Sequence, residues 1–516
     1  GGIVGTSVAY HLTELGWTDV LLLERHTLTS GTTWHAAGLV GRLRATHNMT
    51  RLAAYTADLY DRLENEMGHP TGFRPVGSVS LADNPGRMEE LVRGAGMAKS
   101  FGVDVEVMDV DQLVKRWPLM NPAGVLGGVW IPGDAQASPV DTTMALATVA
   151  KERGAKVIEG VSVEAIRKHH GKVIGVDTDQ GSVDAEYVVT CAGMWSHELG
   201  RQAGVNIPLH ACEHFYLVTE PVPDLPSDLP TLRDTDNCIY VKEDAGRLLV
   251  GAFEPIAKPF GAGGPPTDRP FMQLDEDWDH LAPVYERACQ RVPVLGEIGI
   301  RLFFNGPEAF TPDDRYLLGE TPELSNHFVA AGFNSIGIQS AGGAGKVLAD
   351  WIVNGHPPMD LWDVDIRRMQ HFQTNRRYLH DRSVESLGLL YAMHWPFRQV
   401  ETARGVRRSA FHDRLTGLGA CHGEAGGWER PNWFAPDGIE PVYEYSYGRQ
   451  NWFEYSAAEH LACRERVAMF DQSSLAKLLV QGPDAASVLN RISSADIDVE
   501  PGTSVYTTWL NERGGI

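Results

Sequence analysis

Two glycines and an acidic residue near the amino end have the types and the spacing that bind a dinucleotide. Gly2 and Gly5 directly precede a helical pattern of apolar residues, and Glu24 closes the apolar strand that follows. Gly2 would let the backbone approach a pyrophosphate, and an acid roughly 20 residues later would accept hydrogen bonds from ribose hydroxyls. Free amides at the helix start would bind the phosphates. The pattern predicts a dinucleotide site but does not distinguish a nicotinamide cofactor from a flavin.

The next residue that could do chemistry is a lone histidine, His35, among small and hydroxyl-bearing residues. Neutral imidazole offers one ring nitrogen as a nucleophile while a hydrogen bond holds the other. Most lone histidines are plain loop residues, so the residue type alone leaves its role open. Residues 28–39 resemble the sarcosine dehydrogenase and dimethylglycine dehydrogenase family, in which a Gly-Thr-Thr-Trp-His-x-Ala-Gly segment carries a histidine bonded to the flavin. The resemblance implies FAD attached covalently through His35.

The same resemblance implies further residues that contact FAD along the chain. Glycines before a helix would let the backbone lie against the flavin, where amide dipoles stabilise negative charge. Lys346 would add a full charge there, unless it is a solvated lysine of the first helical turn. The predicted cofactor-binding residues are Gly2, Gly5, Glu24, Arg25, Thr32, Thr33, Trp34, His35, Ala37, Gly38, Leu39, Ala192, Gly193, Gly332, Asn334, Gly337, Gly342, Gly343 and Lys346.

Three potential metal ligands, His210, Cys212 and His214, alternate along one predicted strand. Alternate strand residues lie roughly 7 Å apart, so three of them do not easily converge on one zinc ion. We therefore predict no metal site. The family resemblance offers another use, because its His-x-Tyr-x-Val-Thr strand places the histidine, here His214, at the substrate. It implies that Tyr240 on a following strand shares this catalytic role.

The order of the predicted elements indicates an α/β fold. By resemblance to amine oxidases, we expect a Rossmann-like FAD-binding domain with an interleaved antiparallel-sheet substrate domain. The oxidoreductase would span residues 1–365, followed by a central region or linker and an incomplete, aminomethyltransferase-like α+β domain. The predicted FAD-binding parts are about 1–80, 140–210 and 300–365, the substrate sheet about 81–139 and 211–299, the central region 366–430, and the last domain 431–516.

The last third resembles the start of a folate-binding aminomethyltransferase domain in residues 466–474 and 480–485. In that family the folate carboxylate lies just after an Asn-x-x-Gly-Gly turn, which here occupies residues 511–515. Because the sequence ends at residue 516, we expect an incomplete folate site. Tetrahydrofolate would then be a ligand only of a longer chain.

Charge and composition restrict the partners. The 516 residues include 45 Lys and Arg and 67 Asp and Glu, which gives a formal net charge of −22. Such a field repels nucleic acid and anionic membranes, so we expect no nucleic-acid partner. No apolar run reaches the roughly 18 residues that span a bilayer, and six scattered cysteines indicate a reducing compartment. We expect a cytoplasmic protein, or one of the mitochondrial matrix in a eukaryote.

The resemblance implies oxidative demethylation of a small zwitterionic N-methyl amino acid, with sarcosine as the first candidate substrate and dimethylglycine as the second. Hydride would pass from the N-methyl carbon to FAD, and the one-carbon unit would leave as formaldehyde or methylene-tetrahydrofolate. Oxygen or an electron-transfer flavoprotein would accept the electrons. A rival is a non-catalytic protein like the regulatory subunit of pyruvate dehydrogenase phosphatase, which resembles residues 210–218 and 312–320 but lacks the histidine at position 35.

Overall fold

The computed structural model describes residues 1–261, 263–510 and 514, so the predicted folate turn at 511–515 lies outside the described residues apart from Gly514. The chain forms two compact units. The first contains residues 1–406 and 442–453, and the second contains residues 407–441 and 454–516. This division differs from the predicted one, in which residues 366–430 form a separate region. Residues 366–406 instead belong to the first unit.

Contacts of the segment after residue 365 explain why it belongs to the first unit. Its helix, Arg376–Ser386, packs on the strand His210–Thr219 and buries Tyr378 and Leu379. Arg368 pairs with Asp313 at 2.7 Å, and Arg376 pairs with Glu198 at 2.9 Å. Arg368 and Arg376 thus meet carboxylates of the same unit.

Parallel strand pairs and the helices around them form the dinucleotide-binding part of the first unit. Leu21–Glu24 pairs in parallel with Lys156–Glu159, and Val188–Thr190 pairs in parallel with His327–Ala331. Helix Ile3–Glu14 begins directly after Gly2, as the sequence predicts. It packs on two other helices of this part. The helices are Ile3–Glu14, His47–Asn65, Pro139–Glu152, Ser196–Ala203 and Gly337–Asn354.

Glycines of the helix Gly337–Asn354 serve helix packing. The sequence interpretation places Gly342, Gly343 and Lys346 beside the flavin, ahead of a helix that begins near residue 347. The structure corrects the helix start, because the helix already begins at Gly337 and all three residues lie inside it. A Cβ on Gly343 would lie 2.3 Å from the carbonyl oxygen of Leu52, so the missing side chain lets the helices approach closely.

A nine-stranded mixed sheet forms the other part of the first unit. His210–Thr219 pairs antiparallel with Ile300–Phe310 over most of its length. The sheet also takes in Ser78–Ala82. Ser78–Ala82 and Ile300–Phe310 thus extend into ranges predicted as FAD-binding. The strands are Ser78–Ala82, Glu106–Met108, Gly127–Ile131, His210–Thr219, Thr231–Asp234, Ile239–Asp244, Arg247–Ala252, Pro259–Phe260 and Ile300–Phe310.

Alternation along these strands separates a core face from a polar face. Phe215, Val241 and Phe303 are buried in one apolar core with Leu281 and Val284 of helix Trp278–Arg291. Residues one position away point to the opposite face, because successive side chains of a strand alternate. That opposite face carries His214, Tyr216, Arg233, Tyr240 and Glu308, which line a cavity.

Smaller elements complete the first unit. Val163–His169, Lys172–Thr178 and Gly181–Asp184 form an antiparallel sheet of three strands. Leu39–Val40 pairs antiparallel with Ala135–Gln136 and thereby fixes the chain after the His35 segment. Leu317–Glu320 pairs antiparallel with His327–Ala331. The remaining helices that begin in this unit are Pro85–Ser100, Val110–Arg116, Trp278–Arg291, Arg376–Ser386 and Phe453–Glu465.

The second unit is built around a hairpin. Ala420–Ala425 pairs antiparallel with Trp428–Phe434. Trp433 is buried and stacks on Tyr455 with the ring centroids 5.6 Å apart. Its helices are His412–Gly417, Phe453–Glu465 from its second residue onward, and Ala485–Ile492. In the described parts of both units, no helix combines the length and the apolar character needed to cross a bilayer.

Candidate active site

A cavity of about 1210 Å³ lies where the dinucleotide-type turn meets the parallel strands. Gly2, Val4 and Gly5 line it, and the amides of a first helical turn have no partners within the helix. A Cβ on Gly2 would lie 2.9 Å from Oγ1 of Thr33, so a side chain at this position would require Thr33 to shift. The predicted residues that the structure brings together around this cavity are Gly2, Gly5, Glu24, Arg25, Thr32, Thr33, Ala192, Gly193, Gly332, Asn334 and Gly337.

The acidic and basic residues at the strand end are held by local contacts. The Glu24 side chain accepts a hydrogen bond from the backbone N–H of His26 at 2.9 Å. The Arg25 guanidinium lies over the Trp195 ring, 5.4 Å from its centroid, and Trp195 also lines the cavity. Both contacts fix side chains at the wall of a site suited to a nucleotide.

A second cavity, of about 150 Å³, adjoins the first. Four residues line both cavities, so the two share a wall; they are Ala36, Glu308, Ser335 and Ile338. The predicted residues His35, Ala37, Gly38, Leu39, His214 and Tyr240 line this smaller cavity. Trp34 lines neither, and its ring meets Phe271 and Phe304 edge to face. Gly342, Gly343 and Lys346 also lie outside both, and Lys346 pairs with Asp350 at 2.6 Å.

His35 is buried against an aromatic side chain. Its imidazole stacks on the Phe304 ring, with centroids 4.7 Å apart and planes 28° apart. Burial, assisted by repulsion from His214, lowers the pKa of His35 to about 3. The ring is therefore neutral at physiological pH and keeps a lone pair on one nitrogen.

His214 and Tyr240 lie on adjacent parts of the same sheet face. Nε2 of His214 lies 3.3 Å from the Ser335 hydroxyl oxygen, and its buried Nδ1 has no hydrogen-bond partner in the part of the chain that the structure describes. Burial lowers the pKa of His214 to about 4. Burial, with the nearby Tyr391, raises the pKa of Tyr240 well above its ordinary value. Both groups are uncharged and face a closed space.

His210, Cys212 and His214, the three alternating residues for which we predict no metal site, have different neighbours in the structure. His210 faces His380, with the rings 6.0 Å apart, whereas the Cys212 thiol points to the carbonyl oxygen of Ser383. Only His214 of the three lines the smaller cavity. Among residues 1–261, 263–510 and 514, no cluster of His, Cys, Asp and Glu side chains could hold a metal ion.

Comparison with known families shows the family of this chain. The family model described as FAD dependent oxidoreductase matches residues 1–351. The chain belongs to this family. A model for the central domain of FAD dependent oxidoreductases matches residues 354–409, and one for the GCVT N-terminal domain matches residues 411–516. The expected α/β fold with an aminomethyltransferase-like second part is thereby confirmed.

Characterised relatives match the whole chain. It is 46% identical to 4-methylaminobutanoate oxidase (formaldehyde-forming) of Paenarthrobacter nicotinovorans and covers 62% of that protein. It is 38% identical to human mitochondrial sarcosine dehydrogenase and covers 59% of it. It is 37% identical to the mouse mitochondrial regulatory subunit of pyruvate dehydrogenase phosphatase and covers 60% of it. The chain thus spans about three fifths of the length of these relatives.

A solved structure supports the fold. The crystal structure of L-proline dehydrogenase from P. horikoshii superposes with a TM-score of 0.65 over 71% of this chain and 95% of that chain, at 23% identity. The glycine turn, the close approach at Gly2 and the acid at position 24 fit the pyrophosphate and ribose of FAD.

Two arginines of the smaller cavity are absent from the sequence-based predictions. Arg44 donates hydrogen bonds to the carbonyl oxygens of Leu43 and Gly41, and burial together with the charge of Arg233 lowers the pKa of Arg44 to about 10. The charge of Asp134 opposes this lowering. Two guanidinium groups with one nearby acid can still bind a further carboxylate.

Glu308 is the acidic residue of the smaller cavity and was also missed. Its side chain is buried, and Oε2 has no hydrogen-bond partner among the described residues. Burial raises the pKa of Glu308 to about 7, and a hydrogen bond from Ser335 opposes the rise. Strand alternation places Glu308 on the same face as Phe304, which the sequence could have indicated.

Proposed function

We propose that this chain is the oxidoreductase part of an enzyme that uses FAD to oxidise the N-methyl group of a small amino acid. One observation carries the proposal. A small cavity with two arginines, a buried acid and uncharged hydrogen-bonding groups shares a wall with a large cavity that fits FAD. A substrate with a carboxylate at one end and an amine at the other matches these groups.

The cofactor would be held by the predicted residues that line the larger cavity. Gly2 and Gly5 would face the pyrophosphate, and Glu24 the ribose. Bound there, FAD supplies a two-electron acceptor for hydride. We further propose that His35 holds FAD covalently. Support comes from its neutral imidazole and from its neighbour Ala36, which lines both cavities.

In this proposal the smaller cavity binds and orients the amino acid. Arg44 and Arg233 bind its carboxylate, and Tyr240 donates a hydrogen bond at the same end. His214 and Ser335 hold the amine end near the shared wall. Tyr216, Phe253 and Tyr391 also line the space and exclude water from the reacting carbon.

Oxidation of a carbon next to nitrogen requires the nitrogen lone pair, so a bound ammonium must first lose a proton. The products would be the demethylated amine and a one-carbon unit. We place 4-methylaminobutanoate first among candidate substrates, because the relative that is 46% identical bears its name. Sarcosine, our first expectation from the sequence, becomes the second candidate, and dimethylglycine the third. Oxygen and an electron-transfer flavoprotein remain alternative electron acceptors.

An anaerobic titration tests the proposed function. The purified holoprotein is mixed with each of the three amino acids, and the absorbance of oxidised flavin is followed. We expect at least one of them to bleach it, and a non-methylated control, 4-aminobutanoate, to leave it unchanged. If none of the three bleaches the flavin, or if the protein purifies colourless like a non-catalytic regulatory subunit, the proposal is wrong.

A further inference from the structure

Glu308 stands at the junction of the two cavities. It lies on the strand Ile300–Phe310 and lines both spaces. Phe303 of this strand faces the apolar core, whereas Glu308 faces the cavities. The side chain is only 5% exposed, so its carboxyl group is shielded from bulk water.

The groups around Glu308 include no fixed cationic partner. The titratable residues that line the smaller cavity with it come from four segments; they are His35, Arg44, His214, Tyr216, Arg233, Tyr240 and Tyr391. Burial and Ser335 determine the pKa of Glu308, without a contribution from the charge of either arginine. A buried carboxylate without a cation is costly, so ionised Glu308 requires a cation that arrives with the ligand.

Ser335 connects Glu308 with His214. Its hydroxyl lies 3.3 Å from Nε2 of His214, and the same side chain is close enough to Glu308 to oppose the rise in the pKa of that carboxyl. Asn334 and Ser335 both have left-handed backbones, with φ values of 47° and 60°, which side-chain-bearing residues rarely adopt. The Asn334 side chain accepts a hydrogen bond from the Thr311 backbone at 2.8 Å and holds this turn. The strained turn thus positions the hydroxyl between the acid and the imidazole.

We propose that Glu308 is a catalytic residue, whose carboxylate pairs with the substrate ammonium and accepts one of its protons before the methyl C–H bond is broken. The inference rests on the proposed function and deepens it. One N–H bond breaks and one O–H bond forms, so ammonium and carboxylate become neutral amine and carboxylic acid. The lone pair that remains on nitrogen then permits hydride to leave carbon for the flavin. Ser335 positions the carboxyl group, and His214 stays neutral as a hydrogen-bonding residue.

His214, the proton acceptor expected from the family resemblance, is less suited to the task. Burial lowers its pKa to about 4, so its imidazole is a weak base at physiological pH. The pKa of Glu308, about 7, lies near the working pH, where general bases are most effective.

The pH dependence of flavin bleaching tests the proposal in the Glu308→Gln variant, which removes the ionisable group and keeps the shape. Anaerobic bleaching rates are measured across pH with the amino acid that reduces the wild type. Wild-type rates should rise with pH through the titration of a group near pH 7, whereas the variant should lose this rise. Near neutral pH the variant should be roughly a hundred- to ten-thousand-fold slower. The bleaching rate of the variant should recover as the pH approaches the pKa of a free alkylammonium group, about 10.4.

Glu254→Gln is the matched control, because Glu254 is also a buried acid with an unpartnered oxygen and a raised pKa but lines neither cavity. Its pH profile should match the wild type. A second readout needs no turnover: the infrared C=O band of a protonated carboxyl should titrate near pH 7 in the wild type and be missing in Glu308→Gln.

The outcomes separate the two proposals. If no amino acid bleaches the wild-type flavin, the proposed function fails at its own test. If the wild type is bleached but Glu308→Gln keeps the wild-type rate and pH profile, the role of Glu308 is refuted while the proposed function stands. A Glu308→Gln protein that is slow at every pH, without recovery in alkali, also overturns the role as proton acceptor.

Discussion

Arg233 lies directly opposite Tyr240 where the strands Thr231–Asp234 and Ile239–Asp244 pair antiparallel. Residues opposite each other in such a pair point to the same face of the sheet. Both side chains line the smaller cavity. A guanidinium and a phenol hydroxyl therefore present donors to the same space, which suits a carboxylate.

Replacement of Arg233 by Met should weaken binding of the amino acid substrate. Loss of a charged hydrogen bond costs about 1.5–3 kcal/mol, which corresponds to a roughly ten- to hundredfold higher dissociation constant. The limiting rate of anaerobic bleaching should change less. An N-methylalkylamine without a carboxylate is the control, and its affinity should not fall. Equal loss of affinity for both compounds would refute the assignment of the carboxylate to Arg233.

His35→Ala should separate covalent attachment from FAD binding. The residues that line the larger cavity are unchanged, so the variant should still bind FAD, but acid precipitation should release the flavin into the supernatant. Wild-type protein should keep it in the pellet and show a mass increase equal to FAD. Flavin released equally from both proteins would contradict a covalent bond at His35.

Gly343→Ala should destabilise the protein without a direct effect on the flavin. A Cβ there would lie 2.3 Å from the backbone of Leu52, and such overpacking costs about 1–3 kcal/mol. Gly94→Ala is the control, because the space beside Gly94 in the helix Pro85–Ser100 is open and alanine is the better helix former. Thermal unfolding should show a lower midpoint for the first variant only. Equal thermal unfolding midpoints for the two variants would indicate that the contact between the helices His47–Asn65 and Gly337–Asn354 tolerates a side chain at position 343.

The stability difference between Glu308→Gln and the wild type should depend on pH. Because the folded-state pKa of Glu308 is raised from 4.5 to about 7, its neutral form stabilises the fold below pH 4.5. That contribution is lost as the pH rises through 7. Glutamine does not ionise. The free energy of unfolding of the variant, relative to that of the wild type, should therefore be higher above pH 7 than below pH 4.5 by about 3 kcal/mol. Denaturant unfolding of the substrate-free proteins measures this difference in the free energy of unfolding. A difference that does not change with pH would contradict a raised pKa of a buried Glu308.

Local sequence patterns predict the glycine turn and the helix after it well. The glycines at 2 and 5, the helix after them and Glu24 are close in sequence, so short-range geometry brings them together. Glycines 342 and 343 were placed before a helix rather than inside it, because a glycine that meets a cofactor and a glycine that meets another helix have the same sequence pattern. Only the tertiary approach of Leu52 and Thr56 distinguishes the two.

The smaller cavity is harder to predict because its residues come from distant strands. Arg44, Arg233 and Glu308 are far apart in sequence and converge only through sheet register. Alternation indicates that Phe304 and Glu308 share a face, but it does not tell which face meets a cavity. The boundary at residue 406 depends likewise on packing of the helix Arg376–Ser386, which composition does not show.

The most direct test of the account is a crystal structure of the FAD-loaded protein, reduced chemically and soaked with the amino acid that bleaches it. The isoalloxazine ring should lie at the wall formed by Ala36, Glu308, Ser335 and Ile338. The amine nitrogen should lie within hydrogen-bond distance of Glu308, and the carboxylate should contact Arg233. An amino acid bound outside the smaller cavity, or a flavin ring away from that shared wall, would contradict the account.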